Sequence, residues 1–380
     1  MKISTLAILG STGSIGLNTL KVVDQHPQHF QVKALSAYNN FKLLESQIRK
    51  YKPSHVAVGD EGLAYFKKIG IKGVKFYSVQ DSAQIASLKE VDTVVLAQRG
   101  TSALVPFLEA LRAGKTVAPA NKEALVIAGD LIMNEARKHK ARIIPIDSEQ
   151  SAIFQCLEGQ RSNLKFVHLT ASGGPLRTVR SKDFKRLTIK DILCHPRWKM
   201  GPKITVDSAT MMNKGFEVIE AKHLFNLSYD QIKVLVHPEA IIHSMVEFAD
   251  GSLLAQLGIT DMRLPIQYAL TYPERLPTGL KRLDLGSLGK LHFQEPDLKK
   301  FPSLGLAFEA ARRAGTLPAV LNAADEEVVE EFLKGKLGFL NIYKVVEKVV
   351  LRHKIVKNPS LSDILEADQW ARSEARKIMG

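Results

Sequence analysis

Carboxylates, hydroxyls, an amide and an ammonium crowd into two short stretches of this chain, IDSEQ at residues 146–150 and KITVDSATMMNKGFEVIE at residues 203–220. Asp147 and Glu149 stand two apart after the apolar run ARIIPI. In an extended chain alternate residues share a side, so both acids can face one point. Asn213, Glu217 and Glu220 recur at i, i+4 and i+7, which is one stripe of a helix. Acids with no Cys or His among them favour a hard, oxygen-loving cation, Mg²⁺ or Mn²⁺, over zinc. Ser148, Ser208, Asn213 and Lys214 are the groups needed to hold a phosphate or a polyol. The chemistry predicted is metal-assisted, on a small phosphorylated substrate. Two plainer readings compete with it: exposed helix charge at Glu217 and Glu220, and an N-cap at Asp147 or Ser148.

The elements that must position these groups follow from hydrophobic patterning. Short apolar runs at residues 3–9, 32–36, 55–58, 93–97, 116–119 and 142–146 alternate with amphipathic stretches such as 18–26, 41–51 and 104–113. This alternation predicts an α/β, doubly wound, Rossmann-like domain over residues 1–147 with a parallel sheet covered on both faces. Residues 148–275 change character and predict a central α+β catalytic domain, with strands at 167–170 and 241–248. A Pro-, Gly- and Lys-rich linker is expected at 276–303, and a C-terminal α-helical bundle at 304–380.

GSTGSIG, residues 10–16, directly follows the first apolar run and opens a helix. Closely spaced glycines there let the backbone approach a pyrophosphate, which the helix N-terminus then binds. An NAD enzyme would carry an acid after the second strand, to bond the ribose 2′-OH. Here the chain reads Ser36-Ala37-Tyr38-Asn39-Asn40-Phe41-Lys42. Neutral donors at Tyr38, Asn39 and Asn40 with a nearby lysine suit a 2′-phosphate, so NADPH is the expected cofactor. A simple chain turn would need the same residue types. In ANKE, residues 120–123, Lys122 can clamp a phosphate as a point charge, or merely open a solvated helix.

Two Gly/Pro-hinged segments, SGGP at 172–175 and HPRWKMG at 195–201, read as loops. The segment from 186 to 201 is expected to be mobile and to close Trp198 over a ligand. His195 within it is a candidate site residue, although a lone histidine is more often structural.

Composition bounds the alternatives. A chain of 380 residues is expected to hold two or three domains. Two cysteines, Cys156 and Cys194, cannot build a disulfide framework or zinc cluster, which fits a reducing cytoplasm. The first apolar run is short and no A-x-A pattern follows it, so a buried strand is expected there rather than a signal peptide. No segment is apolar enough to span a membrane. The net charge of +14 is spread along the chain without a nucleic-acid motif, so neither nucleic acid nor membrane is an expected partner.

Taken in order, GSTGSIG, ANKE, DSE, SGGP, HPRWKMG and DSATMMNKGFEVIEA closely resemble the 1-deoxy-D-xylulose 5-phosphate reductoisomerase family of the non-mevalonate isoprenoid pathway. The likeness runs from the first strand to the C-terminal helices. It implies Asp147, Glu149 and Glu217 as metal ligands. Lys122, Ser148, Ser172, His195, Ser208, Asn213 and Lys214 are implied to contact substrate, with Glu149 and Glu217 shared between metal and substrate. Catalytic roles are implied for Lys122, Glu149, Glu217 and His195. Thr12, Gly13, Ser14, Ile15, Asn121, Glu123 and Gly201 are implied to touch NADPH. It further implies a homodimer, and a metal-promoted rearrangement followed by reduction to 2-C-methyl-D-erythritol 4-phosphate. The chain differs from the family's usual residues at Tyr38, Asn39, Gln98 to Gly100 and Pro119, all in the cofactor half. A metal-dependent NADP oxidoreductase that reduces another phosphorylated carbonyl without rearrangement is the alternative.

Overall fold

The computed structural model describes residues 3–160 and 163–380. Two compact units emerge. The first comprises Met1–Ala124, Ile132–Ser151 and Asp261–Leu280; the second comprises Leu125–Leu131, Ala152–Thr260 and Lys281–Gly380.

In the first unit the apolar runs form a seven-stranded parallel sheet of order β4-β3-β2-β1-β5-β6-β7. Its strands are β1 (Ser4–Leu9), β2 (Phe30–Ala37), β3 (His55–Val58), β4 (Lys75–Ser78), β5 (Thr93–Leu96), β6 (Thr116–Pro119) and β7 (Arg142–Ile143). Leu6 to Leu9 and Val94 to Leu96 are fully buried, as continuous apolar strands covered on both faces must be. Strand order reverses between β1 and β5, which opens a crevice at their carboxyl ends where open α/β sheets take ligands. GSTGSIG begins there. β4 was not expected, because KFYS is a half-buried edge strand with no continuous apolar run.

The β7 ladder ends at Ile143, short of the expected 146, because Pro119 on β6 has no N–H to donate to the next carbonyl, that of Ile144. The chain nevertheless stays beside β6: the N–H groups of Ile144 and Ile146 donate to the carbonyls of Val117 and Pro119 at 2.9 and 3.1 Å. Asp261–Leu280 joins this unit rather than the expected central domain. Its Arg263–Thr271 helix packs on the Ser14–Gln25 helix, and Gln267 Oε1 lies 3.2 Å from His26 Nε2.

The second unit holds a four-stranded mixed sheet of order β11-β10-β8-β9. Its strands are β8 (Leu164–Ala171), β9 (Ile232–Val236), β10 (Ile242–Phe248) and β11 (Leu253–Leu257). Helices Pro202–Thr210 and Met212–Phe225 pack on the C-terminal helices Pro302–Arg313 and Leu317–Leu333. Gly215 is where this packing is tightest. A Cβ there would lie 2.3 Å from Ala307 Cβ, which explains a glycine inside a helix despite its cost. Helices Phe339–Arg352 and Leu361–Met379 complete the expected C-terminal bundle. The expected linker 276–303 contains a short helix, Leu285–Leu288, and a bridge from Gln294 to Val236. Among the described residues no helix is long and apolar enough to cross a membrane.

Gly16 ties the first strand's turn to its helix, because a Cβ there would stand 2.4 Å from Gly10 O and 2.5 Å from Ser11 Cα. Both obstacles are backbone and cannot swing aside. Gly16→Ala is expected to cost about 1–3 kcal/mol, read as a lower urea midpoint with an unchanged m-value. An unchanged midpoint would contradict this packing.

Candidate active site

The first group of site residues is built where β6 and the extended chain beside it end. Lys122 precedes the Glu123–Lys138 helix, and its Nζ lies 2.6 Å from Asp147 Oδ2, with the side chains 7% and 14% exposed. Ser148 begins the helix Ser148–Cys156, so Glu149 stands in its first turn. The expectation that strand alternation aims Asp147 and Glu149 together is therefore corrected. The pair straddles the entry to a helix, whose N-terminal dipole favours acids. Ser148 Oγ donates to Glu149 Oε2 at 2.5 Å and fixes that carboxylate.

The second stretch is helical, as its periodicity predicts, but in two pieces. Met211 adopts a left-handed conformation (φ 62°) between Pro202–Thr210 and Met212–Phe225. Asn213 Nδ2 donates to Glu217 Oε1 at 2.6 Å, and Lys214 Nζ pairs with the other carboxylate oxygen. Both members of the lysine pair are buried, as is Glu220 one turn on. One oxygen each from Asp147, Glu149 and Glu217 lies within 4.8 Å of the others. The donor set is all oxygen and suits Mg²⁺ or Mn²⁺ better than zinc.

The SGGP and HPRWKMG segments come together with Ser208. His195 Nε2 lies 3.1 Å from Ser172 Oγ. His195 Nδ1 accepts from the N–H groups of Trp198 (2.9 Å) and Arg197 (3.2 Å), so this nitrogen is unprotonated and Nε2 carries the hydrogen. Gly174 N–H also donates to Ser172 Oγ, at 3.2 Å. With two donors on its oxygen, the Ser172 hydroxyl has its own hydrogen to offer an anion. Gly174 (φ 66°) lies directly on Ser208: a Cβ there would be 2.4 Å from Ser208 O. The sequence reading passed over this contact, whose only signal is the paired glycine. The expected loop 186–201 contains a short helix, Ile189–Ile192, closed by a Thr188–Asp191 capping box. Trp198 is half-buried, with its ring 6.0 Å from that of His243.

The expected cofactor residues divide. Gly13 caps the Ser14–Gln25 helix without any side-chain bond, so the N–H groups of its first turn are aimed at the crevice end of β1. Thr12, Gly13, Ser14 and Ile15 are all at least partly exposed. Asn40 is occupied as the N-cap of Phe41–Tyr51, accepting from Leu43 N–H at 3.4 Å. Tyr38 is 69% exposed and Asn39 is exposed beside it. Asn121 is a structural tie: Nδ2 donates to Gln98 O and Gly100 O, and Oδ1 accepts from Ala124 N–H. Glu123 lies in the first turn of its helix, and Gly201 caps Pro202–Thr210.

Family models described as 1-deoxy-D-xylulose 5-phosphate reductoisomerase, its C-terminal domain and the DXP reductoisomerase C-terminal domain match residues 6–129, 143–225 and 257–374. A curated reductoisomerase of this name from Pelotomaculum thermopropionicum is 49% identical, covering 98% of each chain. The Heliobacterium modesticaldum protein is 50% identical over 100% of this chain and 98% of its own. The solved Zymomonas mobilis reductoisomerase in complex with NADPH superposes with a TM-score of 0.93 at 40% identity, covering 100% and 99% of the two chains. A DOX-P reductoisomerase in complex with NADPH, fosmidomycin and magnesium gives 0.93 at 39% identity, covering 99% and 98%. Length, motifs and fold agree from end to end, and the chain belongs to the 1-deoxy-D-xylulose 5-phosphate reductoisomerase family.

Proposed function

We propose that this chain catalyses the NADPH-dependent rearrangement and reduction of 1-deoxy-D-xylulose 5-phosphate to 2-C-methyl-D-erythritol 4-phosphate with Mg²⁺ or Mn²⁺. The convergence of Asp147, Glu149 and Glu217 carries the reading. Three carboxylates that close repel one another by several kcal/mol per pair at an effective dielectric of about 20, and a divalent cation relieves this best. Ser148 and Asn213 each bond one oxygen of these acids and so fix how the carboxylates present themselves. Solved relatives with NADPH and magnesium support the same pair of cofactors.

When bound, the cation supplies Lewis acidity at the substrate's ketone and hydroxyl oxygens, and NADPH supplies the reducing equivalents. The chain's own groups do the rest. Ser172 O–H and Ser208 donate to phosphate oxygens, and His195, held in one tautomer by two backbone N–H groups, orients Ser172. Lys122 and Lys214, now paired with acids, offer their ammonium hydrogens to substrate oxygens. Trp198 and its loop cover the site and keep water from a reactive aldehyde. The first unit holds NADPH at the turn after β1, through the first-turn N–H groups. We place the enzyme in the cytoplasm, because two cysteines, Cys156 buried and Cys194 exposed, are too few for a disulfide framework.

The protein mixed with substrate, NADPH and Mg²⁺ should consume NADPH and yield the branched product. Excess chelator should abolish turnover, Mg²⁺ or Mn²⁺ should restore it, and NADH should serve less well. Turnover in excess chelator, or a reduced product with its carbon skeleton unrearranged, would overturn the reading.

A homodimer is proposed through β11. This edge strand exposes Leu253 (54%), Leu254 (41%) and Leu257 (36%), an arrangement monomers avoid. Leu254→Asp is expected to convert a dimer to monomer by light scattering; a monomeric wild type, or an unaffected dimer, would refute the placement.

A further inference from the structure

The Pro202–Thr210 helix carries more than Ser208. Lys203 Nζ lies 2.6 Å from Asp207 Oδ2 on the same helix and 2.9 Å from Asp325 Oδ2 on the Leu317–Leu333 helix. The ammonium also sits 5.0 Å from the centroid of the Phe216 ring. The two aspartate side chains are 3% and 1% exposed, so one ammonium serves two buried carboxylates. Burial and the neighbouring Asp325 charge push the Asp207 carboxyl well above the usual carboxylate range. Asn322 is fully buried one turn before Asp325, and among the described residues neither end of its amide finds a hydrogen-bond partner. So costly an arrangement needs a reason.

Its position supplies one. Asp207 is followed by Ser208, whose carbonyl carries Gly174 directly upon it, and Gly174 N–H bonds Ser172. Rotating the helix by some 20° would move a side-chain oxygen on its neighbouring face by about 1 Å, given a Cα radius of about 2.3 Å. Displacements of that size cost up to about a hundredfold in rate when they misplace a substrate contact. We propose that Asp325, acting through Lys203 and Asp207, is a positioning residue that fixes the rotation of this helix and so aims Ser208 at the substrate phosphate. The proposal rests on Ser208 being a phosphate contact, as read above. It makes the C-terminal helices part of substrate recognition without their touching substrate.

Four variants test it: Asp325→Leu, Asp325→Asn, Lys203→Met and Ser208→Ala. Kinetics with 1-deoxy-D-xylulose 5-phosphate are read beside NADPH affinity and thermal midpoint. Asp325→Leu and Lys203→Met should each raise KM about tenfold, change kcat less, and leave NADPH affinity unchanged. Asp325→Asn should restore KM to within about threefold, since its amide can accept from Lys203 and donate to Asp207. In the Ser208→Ala background, Asp325→Leu should add almost nothing to KM. Lys203 is partly exposed, so its variant keeps the test open if Asp325→Leu fails to fold. Wild-type KM in Lys203→Met, or additive effects with Ser208→Ala, would overturn the proposal. If Ser208→Ala itself leaves KM unchanged, the phosphate-contact reading fails and this proposal falls with it. If only Ser208→Ala raises KM, the positioning role alone fails.

Discussion

A carboxylate taken out of water keeps its charge only where a cation stands beside it, and the site is organised around that constraint. Removing an ion from water costs several kcal/mol even after relaxation, while an ion pair at 4 Å returns about 4 kcal/mol at an effective dielectric of about 20. The two nearly cancel. Asp147 with Lys122, and Glu217 with Lys214, are therefore stable without being locked. A divalent ion can compete with either lysine for its acid. The same constraint operates at Lys203, where one ammonium stands beside two buried acids.

Backbone contacts connect this electrostatics to the fold. Ser172 has its oxygen filled by His195 and by Gly174 N–H, and Gly174 rests on the carbonyl of Ser208. The donors proposed for phosphate are thus set by main-chain geometry and by one histidine tautomer rather than by flexible side chains. Such preorganisation lowers the entropy cost of binding an anion. At the other end of the chemistry, the turn after β1 presents helix N–H groups with no side chain competing for them.

Much of this was legible in the residues. Continuous apolar runs gave away β1, β3 and β6 because doubly covered strands need no polar alternation. The Asn213–Glu217 spacing was legible because a helix puts i and i+4 on one face. Gly215 signalled a close approach, and Ala307 is what approaches. What escaped has physical reasons too. Edge strands β4 and β11 carry no hydrophobic period, being half-buried or exposed. Asp147 and Glu149 looked like strand residues, because the helix entry at Ser148 and a strand end after Pro145 share the same residue types. The backbone bonds that Asn121 and Asn40 make were not legible either, since an amide suits a ligand and a nearby main-chain group equally well. Asp325 gave no sign at all, since its partners lie more than a hundred residues earlier and only tertiary packing joins them.

Manganese binding, read by electron paramagnetic resonance in the absence of substrate, tests the central claim most directly. The free ion's signal should fall on titration with protein, to about one ion per chain. In Glu217→Gln, Glu149→Gln and Asp147→Asn the signal should instead stay that of free ion across the same range, with far-UV circular dichroism unchanged. Folded variants that bind manganese as tightly as the wild type would show that these three acids do not hold the cation.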